Sequence, residues 1–346
     1  VVPEVEGDRF ALVAKIHHVL LDGVLGIEVL AQLFDLTPEV TDDEAEAVQQ
    51  REPAAPPGLG ELLRELGDSV ISKVKEAPVD FGRLAALAKD WVRFSMNDTG
   101  AKGLKPLFGA PRTPINGNLG TKRVTAVLRV PLAEVEALAN HAGVRMNDVV
   151  LWAVSTGLAS YLSARGWEGG EDLVAMMPMA HSSRRPGAGA NQVTAQFVAL
   201  YNTIPDPLGR LRAIADTTAA AKRFHREAQL ADFVEMTKYV PPLVTWTLSR
   251  ALHEARAFEM LPPAFNLLVT TVRGIDFPLY FAGSELLEVI PFGPLAESAG
   301  LNVTAVSYNG TLEIGFVGDD RLVSGVAELP DLLGAALAEL AAALEG

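Results

Sequence analysis

The spacing of apolar positions along this chain switches between two residues and three to four, and each switch marks an element. Residues 9–17 alternate, with Phe10, Leu12, Ala14 and Ile16 on one side, the pattern of a half-buried strand. Residues 23–34 carry Val24, Ile27, Leu30 and Ala31 at helical spacing behind Asp22, a natural N-cap. The acidic, proline-rich stretch TPEVTDDEAEAVQQREPAAPPG then reads as an exposed linker. Two amphipathic helices follow, one built on Leu62, Leu63, Leu66, Val70 and Val74, the other on Leu84, Leu87, Ala88 and Trp91. Both are expected to pack on the body of the protein. GLKPLFGAPRTPINGNLGTKRV is too rich in Gly and Pro for a regular element and predicts an irregular crossover.

A second unit begins near residue 122. KRVTAVLRV alternates as a strand, Pro131 opens a helix, and Gly143 closes it. Another helix is expected from about 147 to 165, stopped by Gly166. DLVAMMPMA and TAQFVALYN predict strands, and residues 208–229 predict a helix with Leu211, Ile214, Ala215 and Thr218 on one face. NLLVTTV, LLEVIP, LNVTAVSYNG and LEIGFVG predict further strands, the Asn-Gly of SYNGTL turning a hairpin. A last helix over 331–344 should bury Leu333, Leu337, Leu340 and Leu344. Strands that alternate with helices and then cluster late give an α/β fold with a mixed sheet. Residues 1–95 do not balance. They offer one clear strand, and a lone strand cannot pair its backbone or bury both faces. Most of its neighbours are expected from a segment absent from this chain. The opening VVPEVEGDRF has no starter Met, basic region or apolar run, so it carries no signal peptide and fits a chain that begins partway into its gene product.

Composition narrows the chemistry. The 346 residues include no Cys, which excludes disulfides, thiolate metal sites and a Cys nucleophile and fits a reducing compartment. A formal charge of -14 argues against nucleic acid as a partner, since a phosphate-binding face needs clustered Lys and Arg. The uncharged run 149–162 is too short to span a bilayer and reads as a buried helix. Against this background one motif stands out. His17 and His18 end the strand over 9–17, and Asp22-Gly23 opens the next helix, giving HHVLLDG, an H-H-x-x-x-D-G pattern. A histidine at a strand end can aim a ring nitrogen into a cleft, and at an ordinary pKa near ~6.5 it can take a proton at cellular pH. Adjacent side chains on a strand point to opposite faces, so the pair is a poor metal site. Asp22 reads first as an N-cap that holds the turn, and Gly23 permits a tight backbone. The histidines at 141, 181, 225 and 253 have no such context and read as surface or packing residues.

With HHVLLDG in place, the chain resembles the bacterial wax ester synthase/acyl-CoA:diacylglycerol acyltransferases, within the chloramphenicol acetyltransferase-like superfamily. APRTPINGNL, MNDVVLWAVSTGLASYL, MPMAHSSRRPGAGANQVTAQFVAL and the long stretch from PLYFAGSELLEVIPFGPL to LEIGFVGD carry the resemblance across most of residues 9–320. It departs in two places. The family's N-terminal Pro-Leu-Trp motif is absent, and its Asn-Val-Pro-Gly segment reads TTVRG at 270–274, with Thr271 in place of Asn and Arg273 in place of Pro. The resemblance implies two chloramphenicol acetyltransferase-like domains with mixed β-sheets flanked by helices, the N-terminal one incomplete here. Residues 1–95 would be its remainder, 96–121 the crossover linker, and 122–346 the C-terminal domain.

The resemblance also implies a reaction: a fatty acyl group passes from acyl-CoA to the hydroxyl of diacylglycerol, giving triacylglycerol, or of a long-chain alcohol, giving a wax ester. His18 would be the general base, taking the hydroxyl proton and handing it to the departing sulfur, with no covalent intermediate. His17, Asp22 and Gly23 would complete the motif. Asn147 and Asp148 read equally as helix caps or as cleft residues, with Asn147 donating to the oxyanion; Thr271 is a further donor candidate. No permanently bound cofactor and no metal are expected, acyl-CoA being a co-substrate. The expected partners are the two lipid substrates, the absent N-terminal segment in the same or a separate chain, and a membrane or lipid-droplet surface touched peripherally from the cytoplasm. Two alternatives stand: an acyltransferase or condensation enzyme for a small acceptor, and a non-catalytic lipid- or partner-binding member. The altered TTVRG favours the latter and the intact His18 opposes it.

Overall fold

The computed structural model describes residues 1–5, 7–17, 32–39, 58, 60, 64, 109–180, 193–227 and 242–345. Strands β1 (Val2–Val5) and β2 (Arg9–Ala11) pair antiparallel across a turn in which Gly7 has φ 75. The strand expected over 9–17 therefore ends at Ala11, and residues 12–17 are irregular. Phe10, Leu12 and Ile16, the side chains meant for burial, are 42%, 39% and 41% exposed. Among the described residues little covers the apolar face of this two-stranded ribbon beyond Phe281, and a two-stranded ribbon alone is marginal. The helix expected over 23–34 lies outside the described residues up to position 31, and residues 32–34 are turn and bend. The helices on 62–74 and 84–91, and nearly all of the acidic linker, also lie outside them.

The crossover enters through β3 (Asn116–Gly117) and leads to β4 (Arg123–Pro131). Pro131 then caps α1 (Leu132–Ala142), which Gly143 ends at φ 68, as its freedom at positive φ allows. Helix α2 (Met146–Ser163) is the uncharged run, and it is buried. Next come β5 (Val174–Ala180), β6 (Val193–Ala199), α3 (Pro207–Glu227) and α4 (Pro242–Glu254). Strand β7 (Leu267–Ile275) precedes a small hairpin, β8 (Tyr280–Phe281) and β9 (Ser284–Glu285). The chain finishes with β10 (Ser298–Ala299), β11 (Leu301–Tyr308), β12 (Thr311–Asp319) and α5 (Leu329–Glu345).

Six strands form one mixed sheet in the order β4-β12-β11-β7-β5-β6. The two β7 pairings, with β11 and with β5, are parallel; the other three are antiparallel. Asn309 and Gly310, at φ 41 and 83, turn the β11–β12 hairpin as SYNGTL predicts. Leu312, Ile314 and Phe316 of β12, with Val303 and Ala305 of β11, pack with α2 and α5 in one core. A side chain at Gly157 would meet Leu333 Cδ1 at 2.7 Å, so glycine lets α2 and α5 approach closely. Three buried polar side chains of α2 are bonded rather than stranded. Trp152 Nε1 donates to Pro207 O (3.0 Å), Ser155 Oγ to Leu200 O (2.7 Å) and Tyr161 Oη to Ser324 O (2.6 Å).

LLEVIP, expected as a strand, is irregular beyond Glu285. It lies across the sheet rather than in it. Leu286 N donates to Leu279 O, Tyr308 Oη donates to Leu286 O, and Pro291 O presses so closely on Gly315 that any side chain there would clash. Its apolar spacing is that of a strap on a sheet face.

Candidate functional site

His18, Asp22 and Gly23 lie outside the described residues, and His17 is exposed at the end of the irregular segment after β2. What the structure describes is how the chain reaches and leaves the motif. On the near side, the Phe10 ring lies 6.4 Å from that of Phe281. On the far side, the Phe34 ring meets Phe281 edge-on at 5.8 Å. Asp35 and Tyr280 exchange backbone hydrogen bonds, Asp35 N to Tyr280 O at 2.7 Å and Tyr280 N to Asp35 O at 2.8 Å. Both flanks of the motif-bearing stretch thus dock on the β8–β9 hairpin. The sequence pattern held no sign of that role.

Asn147 and Asp148 part company. Asp148 is 2% exposed. Its Oδ2 accepts from Arg145 N at 3.0 Å, closing the first turn of α2, and its Oδ1 accepts from Thr218 Oγ1 of α3 at 2.6 Å. It ties a helix start to a neighbouring helix. Asn147, one position earlier, is half-buried, and its side chain makes no hydrogen bond among the described residues. Asp148→Ala is expected to lower stability by about 2 kcal/mol, the sum of a lost cap interaction and a lost buried hydrogen bond. Urea unfolding checks this, and Asp148→Asn, which keeps an acceptor, should recover part of the loss.

Thr271 lies on β7 in register with Ala305. It therefore shares the sheet face that carries the helices, and its Oγ1 is buried with no hydrogen-bond partner among the described residues. Arg273, where the family has Pro, points to solvent and pairs with Asp276 at 3.1 Å. Gly274 is held close: its N donates to Ser307 Oγ (3.1 Å), and a Cβ there would overlap Ser307 O. No hydrogen bond among the described residues joins Asn147 or Asp148 to Thr271.

The crossover is seated by polar groups that the sequence reading did not single out. Asn116 Nδ2 donates to Ser298 O (2.8 Å) and Phe265 O (3.2 Å), and its Oδ1 accepts from Thr113 Oγ1 (2.6 Å) and Asn266 Nδ2 (2.9 Å). Asn266 Nδ2 also donates to Pro111 O (2.7 Å), and its Oδ1 accepts from Val174 N (2.8 Å). Asp319, wholly buried at the end of β12, accepts from Gly120 N and pairs with Arg123 at 3.2 Å. The available signal was PINGNL, in which polar residues interrupt a proline-rich run that must cross a core.

Among the described residues, no group of three or more His, Asp or Glu could hold a metal ion, and no helix is long and apolar enough to cross a membrane. Two family models match the chain. The wax ester synthase/diacylglycerol acyltransferase catalytic domain covers residues 1–150, and the WS/DGAT C-terminal domain covers 189–341. A Mycobacterium tuberculosis protein named as a diacylglycerol O-acyltransferase is 30% identical in an alignment that covers 95% of this chain and 62% of that protein. A second from the same organism, named alike, is 30% identical over 95% of this chain and 69% of its own length. The wax ester synthase/diacylglycerol acyltransferase structure from Marinobacter aquaeolei superposes with a TM-score of 0.61 at 21% identity, covering 96% of this chain and 68% of that one. The chain therefore spans about three-fifths of the length of the first relative and carries the same α/β fold of a mixed sheet flanked by helices as the Marinobacter protein. With both halves of the family pattern matched in order along one polypeptide, the chain belongs to the wax ester synthase/diacylglycerol acyltransferase family.

Proposed function

We propose that this protein is an acyl-CoA-dependent O-acyltransferase that moves a long-chain fatty acyl group to the hydroxyl of diacylglycerol or of a long-chain alcohol. The observation that carries this reading is the intact H-H-x-x-x-D-G at positions 17–23 in a chain of this family. His18 takes the proton of the acceptor hydroxyl as its oxygen attacks the thioester carbonyl, and then protonates the leaving sulfur. The thioester is already activated, so the protein has to supply a base, alignment and a place for the oxyanion. His17, Asp22 and Gly23 hold the turn that presents His18. Residues 1–95 belong to the first domain and residues 122–346 to the second, with 96–121 between them.

Asn147 and Thr271 are the proposed donors to the thioester carbonyl, and their lack of hydrogen-bond partners among the described residues supports that role. Thr271→Val keeps the shape and removes the hydroxyl. It is expected to lower kcat/KM by about tenfold, below the usual loss for an oxyanion donor, without lowering the melting temperature, because the hydroxyl has no partner to lose. Parallel kinetics and thermal melts check this. Asp148, committed to two structural hydrogen bonds, is a positioning residue for Asn147 rather than a ligand to substrate.

The substrates are lipids, and the protein meets them at a membrane or lipid-droplet surface from the cytoplasmic side. Phe277 and Phe292, each 51% exposed, and Leu287, at 55%, support peripheral contact of this kind. The test is to incubate purified protein with palmitoyl-CoA and either dioleoylglycerol or hexadecanol while following free thiol. Acceptor-dependent thiol release is the expected result. Lipid binding without thiol release would replace this reading with that of a non-catalytic member, and release with a short-chain alcohol alone would replace it with that of a small-acceptor enzyme.

A further inference from the structure

Glu313 lies on β12 in register with Arg129 of β4, and it points away from the face that Leu312 and Ile314 turn to the helices. Its side chain is 2% exposed, yet Oε2 has no hydrogen-bond partner among the described residues. Arg129 Nε lies 3.5 Å from that oxygen, an ion pair without a hydrogen bond. Arg129 aims its N–H groups elsewhere: Nε and Nη2 both donate to Glu288 Oε2, at 3.1 and 2.5 Å. One guanidinium thus serves two carboxylates and hydrogen-bonds one of them. A buried carboxylate oxygen with no donor is costly, and the group answers by keeping its proton. Burial pushes the Glu313 carboxyl up to about 7; Arg129 opposes the rise and Glu288 adds to it.

Beside Glu313 opens a cavity of about 400 Å³, walled on its apolar side by Pro131 and Leu287. Arg9 of β2 lines it as well. We propose that this cavity binds a small primary alkylammonium ion, with an ammonium N–H donating to Glu313 Oε2 and the alkyl group lying on Pro131 and Leu287. The ion supplies what the buried oxygen lacks, a hydrogen-bond donor, in addition to the charge that Arg129 already places beside it. Binding is an exchange. The ammonium ion enters, the Glu313 O–H bond breaks, its proton leaves to solvent, and the net charge of the site is unchanged. Arg9 restricts the ligand to one positive charge, because the far ammonium of a short diamine would be driven against its guanidinium. Nothing in this depends on acyl transfer.

The test is calorimetric titration of the whole protein with propylammonium chloride at constant ionic strength, with sodium chloride as the blank. Saturable binding is expected, about tenfold tighter at pH 8 than at pH 6, since only the ionised carboxyl is competent. About half a proton should be released at pH 7, read from the dependence of the heat on buffer ionisation. Glu313→Gln should abolish binding. Glu288→Gln leaves Glu313 in place but frees Arg129 to bond it, and should weaken binding at least tenfold. Circular dichroism confirms that both variants fold. A 1,4-diaminobutane arm should bind more weakly than propylammonium. The proposal is overturned if no saturable heat appears, in which case the cavity holds water only, or if affinity is unchanged by pH or by either substitution.

Discussion

His18→Ala is expected to lower turnover by about 10²–10⁴-fold, the range that a positioned general base contributes. In the proposed reaction the acceptor oxygen attacks directly, so the protein need not supply a nucleophile. The reaction asks for removal of a hydroxyl proton that is far too weakly acidic to leave unaided near neutral pH. A neutral imidazole is matched to that task, and no other side chain in HHVLLDG is. The base works only when unprotonated, so the wild-type rate should rise with pH as His18 loses its proton and then level off. The residual rate of His18→Ala should lack that rise. Added imidazole should restore part of it by diffusing into the space left. His17→Ala is the internal comparison: the base is assigned to His18, so loss of His17 should cost much less. Stopped assays of thiol release for the three proteins at several pH values measure all of this. A His18→Ala protein that keeps near wild-type turnover, or a ping-pong pattern in wild-type kinetics, would remove the general-base scheme.

The sheet and its helices were legible because their signals are local. KRVTAVLRV, NLLVTTV and LEIGFVG alternate or run apolar as sheet interiors do, and Pro131, Gly143 and Asn309-Gly310 fix the ends through their own dihedral preferences. Two segments misled for the same physical reason. Periodicity reports which side of a segment meets apolar matter, not whether its backbone is paired. LLEVIP has the period of a strand because it lies flat on β11 and β12, and residues 9–17 have it although the described strand stops at Ala11. Helix α4 carries Val, Thr and Trp, poor helix formers, and its start after proline is the one local sign of it.

The candidate site divides in the same way. HHVLLDG is contiguous and could be read directly. The contacts that bracket it could not, since Phe10, Phe34 and Phe281 are brought together only by the fold. Asp148 could be read as a cap from its place in the first turn of α2, but its second bond, from Thr218, spans 70 residues. The two buried asparagines of the crossover are further apart still, at 150 residues. No propensity or spacing rule links such positions, because the energy that pairs them exists only once both are out of water.

That pairing gives Asn266→Ala the largest expected effect on stability, a loss of about 3–5 kcal/mol. Asn266 is wholly buried, so no water replaces what its amide supplies. Truncation strands two backbone groups, Val174 N–H at the head of β5 and Pro111 C=O in the crossover, each worth about 1–3 kcal/mol when left without a partner. The emptied volume adds a cavity cost. Asn116 loses one of the two donors to its Oδ1 but keeps Thr113, so the damage should stay on the Asn266 side. Asn266→Asp separates bonding from shape. A carboxylate can still accept from Val174 N–H, but it faces Pro111 O and Asn116 Oδ1 as a third acceptor with nothing to donate, and should cost at least as much as alanine. Thr113→Val, by comparison, removes one donor from an oxygen that retains another, and should cost about 1 kcal/mol. The order Asp ≥ Ala > Thr113→Val in urea unfolding, with faster proteolysis across residues 109–119 in the first two, is the signature of a crossover held down by one asparagine pair. If Asn266→Ala unfolds within 1 kcal/mol of wild type, the crossover is seated by its apolar contacts through Ala110 and Ile115 instead.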